Sequence, residues 1–128
     1  HFADFIISAK CNSVAVLDGH LETVQVKLKH QAREQDIIDC WNKFKAEPQD
    51  LNLPMAPLQP IRYFERVDYP QPRLHRSIDK GMAVSVGRLR PCNIFDYKFV
   101  MLSHNTIRGA AGGTILCAEL MKAKGLLS

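Results

Sequence analysis

From His20 to His30, apolar and polar side chains alternate. Val24, Val26 and Leu28 point one way; Thr23, Gln25, Lys27 and Lys29 point the other. A period of two is that of a strand, and one apolar row per strand belongs to a sheet with a covered face and a wetter one. Residues 4–17 predict another strand, with Val14 and Val16 set against Ser13 and Ala15. Asp18-Gly19 between them reads as a tight turn, or as a bulge in one long bent strand. Over 33–46 the period lengthens. Ile37, Ile38, Trp41 and Phe44 form the apolar stripe of a helix, which Pro48 ends. Six of the seven prolines lie between 48 and 72, so this stretch predicts an extended connector with a short strand near Ile61–Val67. Met82–Leu89 and Ile94–Ser103 predict two more strands. A helix from about Thr106 to Lys124 closes the chain, stopped by Gly125.

That order predicts an α+β domain: a mixed, largely antiparallel sheet with helices packed on one face. The last helix carries Ile107, Ala110, Ala111, Ile115, Leu116, Ala118, Leu120 and Met121. Its apolar surface wraps too far round for a surface helix and calls for more protein to cover it. The chain opens at His1 and runs at once into apolar residues, which reads as the middle of a longer protein.

Composition narrows the picture. Hydrophobic residues are 46% and charged residues 23%, the balance of a soluble globular domain, and no stretch approaches a membrane span. Cys11, Cys40, Cys92 and Cys117 stand far apart, without a CxxC pair or a histidine cluster. That spacing argues for reduced cytoplasmic thiols, with no metal site expected. The net charge of +4 is modest, and Glu65, Asp68 and Asp79 break up the arginines between Arg62 and Arg90. A nucleic-acid stripe would be denser and interleaved with aromatics, so no nucleic-acid partner is expected.

Two places could carry chemistry. His20 shares its register with Val24 and Val26, which would put it on the covered side at the mouth of its strand. There it could shuttle protons near neutral pH. From spacing alone, a structural histidine at a turn is the simpler account. The run Ser103–Gly113, SHNTIRGAAGG, sets Asn105 and Thr106 before a helix start made of small residues. Such a start can cap free amides, meet a phosphate, or let another backbone pack closely. It is neither a P-loop nor a GxGxxG turn.

The stretches CNSVAVLDGH (Cys11–His20), DYPQPRLHR (Asp68–Arg76), GMAVSVGRLR (Gly81–Arg90) and FDYKFVMLSHNTIRGAAGG (Phe95–Gly113) carry a resemblance. In that order, they are similar to the carboxy-terminal half of the fungal and archaeal aspartate-semialdehyde dehydrogenases. The resemblance implies a glyceraldehyde-3-phosphate-dehydrogenase-like carboxy-terminal domain. Residues 1–105 would bind substrate and dimerise; 106–128 would pack on a dinucleotide-binding domain. It implies reduction of β-aspartyl phosphate with NADPH through a cysteine thioester, an early step toward threonine, methionine and isoleucine. It further implies a homodimer or dimer of dimers. By resemblance, His20 is the acid/base residue, and Asn105, in the HNT motif, lies near the nicotinamide cofactor, NADP.

Two departures qualify this expectation. None of the four cysteines sits in the family's nucleophile motif, and the glycine-rich cofactor turn is missing from these residues, so this stretch alone should be inactive. The family's C-x-R motif reads Cys11-Asn12-Ser13 here. Its arginine would grip the substrate carboxylate with a planar two-point contact that Ser13 cannot make. A non-catalytic dimerisation module with the same fold is therefore the competing expectation.

Overall fold

The computed structural model describes residues 6–12 and 15–127. Among the described residues, five strands form one mixed sheet: β1 (Ile6–Asn12), β2 (His20–Lys27), β3 (Ile61–Phe64), β4 (Val84–Pro91) and β5 (Tyr97–Ser103). Their spatial order is β1-β2-β5-β4-β3. The pairs β1/β2, β2/β5 and β5/β4 are antiparallel, and only β3 runs parallel to its neighbour β4. The α+β architecture is the one the sequence predicts.

Residues paired across adjacent strands share a face. Ala9, Val24 and Phe99 form one such row, and Tyr63, Val86 and Met101 another on the same side. Helix α1 (Glu34–Lys43) covers this side through Trp41, which stacks on Tyr63 with centroids 5.9 Å apart and meets Phe99 edge-on at 5.0 Å. It ends at Phe44, whose backbone is extended. Pro48, expected to stop it, instead lies in the first turn of the next short helix, α2 (Glu47–Asp50), where its missing N–H costs nothing.

The opposite row, Leu21, Leu102, Ser85 and Arg62, lies under the short helix α3 (Pro72–His75) and its flanking loops. His75 is buried here. Its ring packs 4.5 Å from Phe64 and 4.3 Å from Tyr69, and its Nδ1 accepts the Gln71 N–H at 2.9 Å. Met82, Leu102 and Ser85 are the most deeply buried side chains. Met82 and Ala83 lie in the turn before β4 rather than inside a strand.

The final helix is real but begins irregularly. Ile107–Ala111 form a π-type turn that continues into α4 (Gly112–Ala123). Gly125 ends it in the left-handed region (φ +69°), its N–H donating to the Lys122 carbonyl at 3.0 Å. The connector holds α4 at two points: the Met55 N–H donates to Glu119 Oε2 at 3.0 Å, and Lys124 pairs with Glu47 at 2.9 Å. Leu116 is buried, whereas Ile115, Met121 and Leu126 are exposed. Among the described residues, no helix is long and apolar enough to cross a membrane.

Candidate functional site around His20 and Asn105

β1 ends at Asn12, which pairs with Leu21, so the link between β1 and β2 is longer than a two-residue hairpin. The tight turn read at Asp18-Gly19 is thus part of a loop that delivers the chain to β2. Ser13 lies outside the described residues. Gly19 has φ +103°, a conformation that a side chain rarely adopts. A Cβ there would also stand 3.1 Å from Leu102 Cδ1. Gly19 is needed for its backbone shape and for its close approach to the sheet.

The Gly19 N–H donates to Asn105 Oδ1 at 2.8 Å, a bond between residues 86 positions apart. His20 follows at once and pairs in register with Ser103, two residues before Asn105. His20 and Asn105, singled out separately in the sequence, therefore sit at one end of the sheet, linked through one backbone amide. His20 lies on the Val24 face as its register requires, but among the described residues nothing covers it. It is exposed, not on a covered side. The reason is positional: α1 reaches Phe99 and Tyr63 but not the strand's first residue.

Arg76, which the sequence did not single out, also holds this loop. Arg76 Nε lies 3.9 Å from Asp18 Oδ2, and its Nη1 donates to the Pro72 carbonyl at 3.3 Å. Arg76 Cβ and Pro72 Cβ stand 3.6 and 3.7 Å from the place a Gly19 side chain would begin. Only its membership of the DYPQPRLHR block could have drawn attention to Arg76.

Behind Asn105, His104 is buried, its Nδ1 facing the Thr106 hydroxyl at 3.2 Å and the Ile107 N–H at 3.4 Å. Gly81 (φ +81°) lets the His104 ring in; a Cβ there would stand 2.9 Å from it. The small-residue run divides in two. A Cβ on Gly112 would fall 2.5 Å from Met82 Sδ and 2.9 Å from Ile107 Cγ2, so this glycine serves close packing. Gly109, Ala110 and Ala111 are exposed, and a Cβ on Gly109 would meet only the His104 carbonyl, at 3.8 Å. That side of the run is open. Among the described residues, no group of three or more His, Cys, Asp or Glu side chains could hold a metal ion.

The geometry can be set beside known proteins. The chain is 46% identical over 127 residues to the aspartate-semialdehyde dehydrogenase of Schizosaccharomyces pombe, covering 97% of this chain and 36% of that protein. It is 44% identical over 121 residues to that of Methanothermobacter thermautotrophicus, covering 93% and 35%. A crystal structure of aspartate semialdehyde dehydrogenase with NADP from Candida albicans superposes with a TM-score of 0.79 at 40% identity, over 89% of this chain and 32% of that one. An aspartate semialdehyde dehydrogenase II from Vibrio cholerae shares the fold, with a TM-score of 0.65 at 22% identity. The chain thus spans about a third of the length of the relatives it matches, and corresponds to a carboxy-terminal part of them. The model of the semialdehyde dehydrogenase dimerisation domain matches residues 1–108, and the chain belongs to that family.

Proposed function

We propose that this chain is the substrate-binding and dimerisation part of an NADPH-dependent aspartate-semialdehyde dehydrogenase, with His20 as its acid/base group. The observation that carries this reading is the exposed His20 at the sheet's end, its preceding residue held by Asn105. A histidine fixed by its backbone and open on its ring side can exchange protons with a bound substrate.

The residues near Asn105 suit the cofactor. Gly19 occupies Oδ1, which leaves the Nδ2 hydrogens as the donor pair for a carboxamide oxygen. The open, small side of Gly109–Ala111 leaves room for a flat ring beside it. NADPH, when bound, would supply the hydride. In this reading a cysteine thiolate outside these residues attacks the acyl carbon of β-aspartyl phosphate; the C–O bond to phosphate breaks, inorganic phosphate leaves and a thioester remains. His20 gives or takes the proton that the tetrahedral steps require. The terminal segment from 106 onward, with Ile115, Met121 and Leu126 exposed, packs on the dinucleotide-binding domain. Ile6 and Ile7, exposed on the edge strand β1, belong to the buried surface of a homodimer. Obligate interfaces of that kind bury about 2,000 Å² or more. The cytosol is the expected compartment, on the cysteine spacing given above.

The test is the intact dehydrogenase assayed with aspartate β-semialdehyde, phosphate and NADP. His20→Ala should lower kcat by roughly 10²–10⁴, with the dimer preserved in sedimentation. An unchanged kcat would make His20 structural and remove the reading. The 128 residues alone should show no turnover. Ser13 favours one competing reading, a dimerisation module without catalysis. That reading wins if the intact protein dimerises but never turns over, even with Arg restored at position 13.

A further inference from the structure

The His20 loop is held from both sides, and only one side is explained by a group placed near the cofactor. Asn105 takes the Gly19 amide. On the other side stands α3, whose position is set by His75 packed between Phe64 and Tyr69. Arg76 follows α3 directly. Its Nη1 is anchored on the Pro72 carbonyl, its stem faces Gly19, and its Nε faces Asp18. The side chain is only 22% exposed, so its charge is placed rather than solvated at will. Surface ion pairs usually contribute little to stability. A half-shielded arginine lodged between a packed helix and a catalytic loop is better placed to fix geometry.

We propose that Arg76 is a positioning residue for His20. Through Asp18 and the face of Gly19, it sets the direction in which β2 begins and so where the His20 ring stands. Arg76 touches no reacting atom; it acts by restricting the loop. The idea rests on the acid/base reading of His20, and the two can fail separately.

The first arm needs no activity. In the 128-residue chain, amide hydrogen exchange at Gly19 reports whether its bond to Asn105 is held. Arg76→Gln keeps most of the stem and removes the charge, and Asp18→Asn removes the charge of its partner. Each should speed Gly19 exchange at least tenfold while Val100 and Leu102 amides stay protected, and the double variant should be no worse than either single one. Arg76→Lys should recover part of the protection. Unchanged Gly19 exchange in Arg76→Gln overturns the proposal, as does exchange that rises equally across β5, which marks general destabilisation. The second arm uses the intact dehydrogenase. Arg76→Gln should lower kcat about tenfold to a hundredfold with KM for the semialdehyde nearly unchanged, as displacement of a catalytic group does. If His20→Ala abolishes turnover but Arg76→Gln leaves kcat intact, the positioning role is wrong. If His20→Ala itself changes nothing, the acid/base reading falls, and Gly19 exchange alone decides whether Arg76 holds the loop.

Discussion

Asn105 and Gly19 are joined by a 2.8 Å hydrogen bond across 86 positions of sequence, and through it the carboxy-terminal HNT motif holds the loop that presents His20. The oxygen of this short neutral side chain is engaged in the fold, while its nitrogen keeps two hydrogens to donate, the end that the proposed function gives to the cofactor. The two can be separated by substitution. Asn105→Asp keeps an acceptor for Gly19 and loses the donor pair; Asn105→Ala loses both. We expect Asn105→Ala to cost about 1 kcal/mol in urea unfolding, and Asn105→Asp to cost less. In the intact dehydrogenase both should raise KM for NADP. If Asn105→Asp binds NADP normally, the side chain is purely structural.

In the proposed function Ser13 stands where an arginine would grip the substrate carboxylate, so we expect it to be the residue that most limits activity. A charge-assisted two-point contact contributes about 1.5–3 kcal/mol more than no contact, and ~1.4 kcal/mol is a tenfold rate difference. Ser13→Arg in the intact enzyme should therefore raise kcat/KM about a hundredfold, mostly through KM. No change would mean that another group already holds the substrate carboxylate.

Gly112 and Gly109 should respond oppositely to alanine. Gly112→Ala drives a methyl against Met82 Sδ and Ile107, so it should lose about 1–3 kcal/mol. Gly109→Ala finds open space and should be neutral, or gain up to about 1 kcal/mol from helix propensity. Thermal unfolding of the two variants decides it. Equal losses would show that the whole run is packed.

The cysteines should not react in order of exposure. Amide hydrogen bonds from Phe95 and Ile94 hold the Cys92 thiol below the ordinary range, and Lys98 and Arg90 add to this. Local desolvation, followed by the Glu22 carboxylate, raises Cys11. The thiolate is the reactive form, so near neutral pH the half-buried Cys92 should alkylate faster than the exposed Cys11. The gap should close as pH rises past both thiols and each is fully ionised. Peptide mass spectrometry after brief iodoacetamide treatment measures the ratio, and a faster Cys11 would contradict the assignment.

Much of this was legible along the chain. The period-two run of β2, the Trp41 stripe of α1 and the Gly125 stop of α4 are local signals, because each depends on neighbours within a turn or a strand. His20 and Asn105 were both found from the sequence, but as isolated residues. What periodicity could not supply was pairing. The parallel β3/β4 contact depends on where a proline-rich connector lands, and no residue in Ile61–Phe64 encodes its direction. The close seating of Gly112, just after the π-type turn, is on Met82, thirty positions away. The bond from Asn105 to Gly19 and the reach of Arg76 to Asp18 exist only because β2, β5 and α3 meet at one end of the sheet. Local chemistry chose the elements and the candidate residues. Long-range packing chose which of them touch, because contacts between distant positions are decided by the burial of whole faces and not by any one segment.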